Sequence, residues 1–123
     1  MAARRILVVD DSPASRELIL HGLKGACQEV LEAADGWEAL EKIAATRPDL
    51  VLLDLEMPRM DGYEVLRQVR RDPSLAATRV VAVTARAMHG DRDLALAAGF
   101  DGYVTKPVNL PELREYVREI KER

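Results

Sequence analysis

Residues 50–54 read Leu50-Val51-Leu52-Leu53-Asp54. Four apolar residues without polar alternation mark a strand buried on both faces, and the carboxylate that closes the run stands where such a strand leaves its sheet. The pattern recurs on either side in the chain. Ile6-Leu7-Val8-Val9 runs into Asp10-Asp11, and Val80-Val81-Ala82-Val83 runs into Thr84. Gln28 to Ala33 is a more polar strand suited to a sheet edge, and Gly102-Tyr103-Val104-Thr105 is a short fifth strand that leads into Lys106-Pro107.

Between these runs the apolar period becomes helical. Leu18, Ile19, Leu23 and Ala26 form one stripe; Ala39, Leu40, Ile43 and Ala44 a second; Val65, Leu66 and Val69 a third. Leu94, Ala97 and Ala98 mark a fourth, and Leu113, Val117 and Ile120, with Tyr116 beside them, a fifth. Five strands alternating with five helices predict an α/β fold: a parallel sheet with right-handed crossovers and helices on both faces. Pro13 fits the first turn of the first helix behind Asp11 or Ser12 as cap, while Pro48 and Pro73 follow the second and third helices. With no linker or repeat, and with the last stripe running almost to Arg123, a single domain over residues 1–123 without an output domain is expected.

Composition narrows the class. The 123 residues are 48% hydrophobic and 32% charged, the balance of an ordinary globular domain, and the aromatic share of 4% calls for an aliphatic core. The net charge of −3, with both signs interspersed, argues against nucleic acid as partner. A lone Cys27 excludes an internal disulfide, and no Cys/His cluster has metal-ligand spacing. No apolar run approaches the roughly 20 residues of a membrane helix, so a cytoplasmic protein without a membrane partner is expected.

In an open parallel sheet, the loops after the carboxyl ends of the strands share one edge, where binding sites lie. Asp10, Asp11, Asp54, Thr84 and Lys106 all fall there. Each alone has an ordinary use as a cap, a turn residue or a solvated charge. Together they mean more, because three carboxylates at one edge repel by roughly 1 to 4 kcal/mol per close pair and call for a cation. Oxygen-only ligands favour Mg²⁺ or Mn²⁺, and Mg²⁺ readily takes phosphate oxygens as further ligands. Phosphoryl transfer needs little beyond an in-line nucleophile and neutralised equatorial oxygens. Asp54 fits the nucleophile, with Lys106 and the Thr84 hydroxyl meeting the oxygens.

Four pieces in this order and spacing carry a family resemblance: Val8-Val9-Asp10-Asp11-Ser12, Leu52-Leu53-Asp54-Leu55-Glu56-Met57-Pro58-Arg59-Met60-Asp61-Gly62, Val83-Thr84-Ala85, and Tyr103-Val104-Thr105-Lys106-Pro107. Over essentially its whole length the chain resembles the response-regulator receiver domain, the CheY-like partner of histidine kinases in two-component systems and phosphorelays. The resemblance implies a flavodoxin-like, doubly wound five-stranded sheet in order 2-1-3-4-5. It also implies a phosphoryl group passed to Asp54 from a histidine kinase or a histidine phosphotransfer protein. Mg²⁺ would be bound directly by Asp11, Asp54 and the backbone carbonyl of Glu56, with Asp10 acting mainly through a water; Thr84 and Lys106 would bind the phosphoryl oxygens. A cis bond would join Lys106 to Pro107. Met57-Pro58 and Asp61-Gly62 would shape the loop after the acceptor, Gly62 supplying a conformation open to positive φ. Thr84 and Tyr103 would act as the switch that changes the face of the fourth helix, fifth strand and fifth helix for a downstream protein target. A monomer or a weak phosphorylation-dependent dimer follows. Such a protein is a signalling switch, with only self-phosphorylation and autodephosphorylation as chemistry.

Two positions depart from better-known members: Glu56, two residues after the acceptor, and Arg86, two after Thr84. Paired across the site they would hinder the attacking water and slow phosphate hydrolysis; as solvated charges they would do little. The segment from Ala82 to Arg92 is similar to that of hybrid-kinase receivers and of stand-alone cell-cycle regulators. A haloacid-dehalogenase-type phosphatase is the main rival, but its nucleophile comes early and is followed two residues later by Asp, where this chain has Glu56. A toprim-type nucleic-acid enzyme conflicts with the acidic charge and the Lys106-Pro107 turn, and an FMN carrier with the scarcity of aromatic residues. His21 and His89 read as surface residues and Trp37 as packing at the opening of the second helix, while Cys27 has no catalytic surroundings.

Overall fold

The computed structural model describes residues 5–85 and 88–119. Strands β1 (Arg5–Val9), β2 (Glu29–Ala33), β3 (Leu50–Asp54), β4 (Arg79–Thr84) and β5 (Gly102–Thr105) alternate with helices α1 (Pro13–Leu23), α2 (Gly36–Thr46), α3 (Gly62–Arg71), α4 (Asp91–Ala98) and α5 (Leu110–Glu119). All neighbouring strands pair in parallel, in the order β2-β1-β3-β4-β5. The two-residue period of each strand divides the sheet's apolar side chains between two cores. Leu7, Val9, Val51, Leu53, Val80 and Ala82 face α2, α3 and α4, whereas Ile6, Val8, Leu50, Leu52, Val81 and Val83 face α1 and α5. The three central strands are buried on both sides, while β2 and β5 at the edges are only partly covered.

Helix starts follow capping chemistry. The Ser12 hydroxyl accepts from the Ser15 amide, and the Asp35, Asp61 and Asn109 side chains accept from the amides of Glu38, Glu64 and Glu112. Ser12, not Asp11, is thus the cap of α1, which leaves Asp11 for the sheet edge. In α2 the Glu38 carboxylate also accepts from the amide of Ala34, the residue before the cap, which ties the incoming chain to the first turn. Helices α1 and α5 lie close: a Cβ on Gly22 would meet the Leu110 side chain at 2.5 Å, and Arg114 donates to the carbonyls of Gly22 and Lys24.

Several expected stripes are rotated. Leu18 and Ala44 are exposed, so α1 packs through Ile19, Gly22 and Leu23, and α2 through Gly36, Ala39 and Ile43. On α4 the expected Leu94, Ala97 and Ala98 all face outward, and Ala95 alone is buried. That helix is eight residues long and carries small or apolar groups at every phase, so its sequence does not distinguish one face from another. Trp37 does not pack: it stands 65% exposed on the first turn of α2, because Gly36 rather than the indole turns inward against Met60. The expected Ile120 contact lies outside the described residues.

Candidate functional site

The strand order reverses between β1 and β3, which opens a crevice beyond their carboxyl ends. Asp10 follows β1 and Asp54 ends β3, so the two carboxylates flank that crevice. Each is held by its own loop: Asp10 Oδ1 accepts from the Ser12 amide at 2.9 Å and Asp54 Oδ1 from the Glu56 amide at 3.0 Å. These turns of the Asx kind leave both Oδ2 atoms for a shared partner. Lys106 Nζ, arriving from the end of β5, donates to Asp10 Oδ2 at 2.8 Å and to Asp54 Oδ2 at 3.4 Å. The Lys106-Pro107 bond is cis, as the resemblance implied.

Asp10 and Asp54 are 1% and 6% exposed, and burial shapes both. Burial raises the Asp54 carboxyl above its ordinary value; the Glu56 amide and the Lys106 charge only partly oppose this. Burial acts on Asp10 too, but there the Lys106 ammonium, the Ser12 amide and the Ser15 hydroxyl outweigh it and hold the carboxyl below its ordinary value. Burial also disfavours the charged form of Lys106, yet its two carboxylate partners overcome this and raise its affinity for the proton. The site thus carries two anions and one cation in a partly dry pocket, with a third carboxylate at its mouth.

That third group is Asp11, which is exposed. Carboxylate oxygens of Asp10, Asp11 and Asp54 all lie within 4.8 Å of one another. An octahedral Mg²⁺ ion with bonds of about 2.1 Å holds adjacent oxygens about 3.0 Å apart and opposite ones about 4.2 Å apart, so the cluster is of the right scale for such an ion, with inward shifts of up to about an ångström or two or a bridging water. The donor set is all oxygen, as a hard cation requires. Thr84 is fully buried on β4, one residue beyond Val83, the register partner of Asp54. The backbone carbonyl of Thr84 also accepts from the Lys106 amide at 2.8 Å, tying the two strand ends together.

The loop after Asp54 corrects one expectation. Gly62 does not adopt a positive φ; the left-handed residue of this loop is Arg59, at φ 69°. Glycine is needed at 62 for closeness instead, since a Cβ there would stand 2.7 Å from the Asp54 carbonyl and 2.9 Å from Leu55 Cα. Pro58 lies in the same loop, its carbonyl accepting from the Met60 amide at 2.8 Å. Glu56 is exposed, and its expected pairing with Arg86 falls outside the described residues.

Tyr103 is half-buried on β5 opposite Ala82 and packs against the core under α2, α3 and α4. It borders a groove of about 500 Å³ between β5 and α5, lined also by Pro107, Leu113 and Tyr116. One site neighbour was not anticipated from the sequence. Arg16 on α1 donates through Nη1 to the Asp10 carbonyl at 2.7 Å and through Nε to Glu32 Oε1 at 2.9 Å. Its only signal is a basic residue on the second turn of the helix that follows the acidic pair.

Comparisons with known proteins bear on the family and the fold. A family model described as the response regulator receiver domain matches residues 6–118. Response regulator MprA of Mycolicibacterium vanbaalenii is 44% identical over 119 residues, a match covering 97% of this chain and 51% of that protein. The chain spans about half the length of the first curated relatives it matches. The chemotaxis protein CheY4 of Vibrio cholerae is 32% identical with a TM-score of 0.86, covering 98% of this chain and 100% of that one. The signal receiver domain of a signal transduction histidine kinase from Syntrophus aciditrophicus is 33% identical with a TM-score of 0.84, covering 96% and 89%. Among the described residues, no helix is long and apolar enough to cross a membrane.

Proposed function

The chain belongs to the response regulator receiver domain family, and from that premise we propose that Asp54 accepts a phosphoryl group beside a bound Mg²⁺ and that the modified domain signals through its surface. The observation that carries this reading is the convergence of Asp10 Oδ2 and Asp54 Oδ2 on Lys106 Nζ at the sheet's switch point. Asp11 and Asp54, helped by Asp10, would hold Mg²⁺, which would supply positive charge to oxygens of the transferred group.

The chain's own residues do the rest. Asp54 Oδ1 is committed to the Glu56 amide, so Oδ2 is the attacking atom. It forms the new P–O bond as the P–N bond to a partner's histidine breaks, and the imidazole keeps the electron pair. Lys106 Nζ moves from Asp54 Oδ2 to a phosphoryl oxygen without leaving the pocket, and the Thr84 hydroxyl meets another. Buried surroundings strengthen both contacts. Motion of Thr84 toward the phosphoryl group frees space for Tyr103, which redraws the face of α4, β5 and α5 for a protein partner. The donor is a histidine kinase or a histidine phosphotransfer protein, and the role is that of a switch whose chemistry acts only on itself.

Intact mass after incubation with acetyl phosphate and Mg²⁺ tests this. One phosphoryl adduct on the parent, absent from Asp54→Asn and absent without Mg²⁺, is the expected outcome. An unmodified parent, or an adduct that survives in the variant, contradicts the assignment.

A further inference from the structure

We propose that Arg16 is a positioning residue of the acidic site: its forked guanidinium fixes the Asp10-Asp11 peptide so that the two carboxylates are ready for the cation. The inference rests on the divalent-ion reading above and adds a residue that touches neither the ion nor the phosphoryl group.

Strand β1 ends at Val9, so the Asp10 carbonyl lies beyond the last ladder position. Arg16 takes that carbonyl with Nη1 at 2.7 Å. The Asp10 amide is held from the other side, donating to the Ala33 carbonyl at 3.1 Å, and Asp10 Oδ1 accepts from Ser12. The residue is therefore fixed through its amide, its side chain and its carbonyl, and among the described residues Arg16 is the one that holds the carbonyl end, from which Asp11 departs. Asp11 is the exposed member of the acidic cluster, so the direction of this peptide decides whether its carboxylate stays within 4.8 Å of the others. Arg16 is itself fixed by Glu32 on the edge strand, at 2.9 Å, and its side chain is 15% exposed. The planar fork reaches the two partners from separate nitrogens, Nη1 and Nε, a geometry that the single nitrogen of a lysine does not reproduce.

Charge and geometry make opposite predictions here. A cation one carbonyl away from a cation site opposes binding, so removing Arg16 would tighten Mg²⁺ binding if charge were all that mattered. If position matters, removal loosens it, as loss of groups that orient metal ligands does elsewhere.

The test is a Mg²⁺ titration of the full chain followed by backbone amide NMR shifts, for the parent, Arg16→Ala and Arg16→Lys, with thermal unfolding in EDTA as a control on the fold. We expect Arg16→Ala to weaken Mg²⁺ binding about tenfold, the low end for such supporting groups, while amide shifts remote from the site stay those of the parent. Arg16→Lys keeps the charge but not the fork, and is expected to weaken binding as well, by roughly threefold or more. Parent-like or tighter binding by Arg16→Ala overturns the proposal, as does full retention of affinity by Arg16→Lys; if the alanine variant does not fold, the lysine variant decides alone. A parent that takes up no Mg²⁺ overturns the site reading and this inference together, whereas a binding parent with unaffected variants overturns only the inference.

Discussion

Replacing Asp54 by asparagine is expected to stabilise the metal-free protein at neutral pH by about 1 kcal/mol while removing its response to Mg²⁺. Asp54 Oδ2 lies 3.4 Å from Lys106 Nζ, and one carboxylate oxygen from each of Asp10, Asp11 and Asp54 lies within 4.8 Å of the others. At an effective dielectric of about 20, the attraction to Lys106 is worth roughly 5 kcal/mol and the repulsion from Asp10 roughly 3.5, with exposed Asp11 adding on the order of 1. These nearly cancel. What remains is the cost of keeping a charge on a group only 6% exposed, which asparagine sheds while still accepting from the Glu56 amide. A gain of about 1 kcal/mol corresponds to about 3 to 5 °C in Tm for a chain of this size. Mg²⁺ reverses the order, since the parent gains about 1.4 kcal/mol at ten times its Kd and a variant lacking one ligand gains much less. Calorimetric melting in EDTA and at rising Mg²⁺ reads both effects. A variant that melts below the parent in EDTA, or that gains as much from Mg²⁺, refutes the reasoning.

The opposite shifts of the two buried carboxylates predict opposite acid limbs in EDTA. Asp10, held below its ordinary 3.8, contributes stability that is present above that value and is lost as pH falls through its lowered value, so Asp10→Asn flattens the decline there. Asp54 sits above 3.8, so its ionisation costs stability above the raised value and the cost is relieved as pH falls from there toward 3.8; Asp54→Asn removes that relief and steepens the decline in that window. Urea midpoints between about pH 3 and 7 measure both slopes. Two glycines separate rigid from yielding neighbours. Gly62→Ala, driven into the Asp54 carbonyl and Leu55 Cα, should cost about 2 kcal/mol or more, whereas Gly36→Ala meets the Met60 side chain, from its fixed Cβ to its movable Sδ, and should cost less, about 1 to 2; chemical denaturation of the pair checks this, and equal losses would contradict it.

The sheet was legible because its central strands are unbroken apolar runs that need no partner to be recognised: Ile6 to Val9, Leu50 to Leu53 and Val80 to Val83 occupy the positions expected. The site was legible for a related reason. Polar residues directly after such runs fall at one edge in any parallel sheet, which brings Asp10, Asp11, Asp54, Thr84 and Lys106 together without knowledge of side-chain contacts. Helix faces were less so. On α4, leucine and alanine recur at every angle, and which one is buried depends on how the helix lies on β5. Trp37 misled because size suggests burial, yet the neighbouring Gly36 makes the close contact. Arg16 was invisible because its two partners, the Asp10 carbonyl and Glu32, are a backbone atom and a residue on the sheet's edge strand. For Gly62 the residue type was informative but the cause was not: a sequence does not distinguish a need for positive φ from a need for a missing Cβ.

Ala95 is the one buried residue of α4, and glycines in left-handed conformation bound the helix at both ends. Exchanges at its outward positions should therefore alter stability by no more than about 0.5 kcal/mol each. Duplicate copies of such a gene can drift apart along that side, substitution after substitution, while the acceptor pocket at the strand ends is left alone. On the proposed function, in which a partner reads that side, insulated signalling lines can descend from one ancestor by rewriting an address rather than reinventing a reaction.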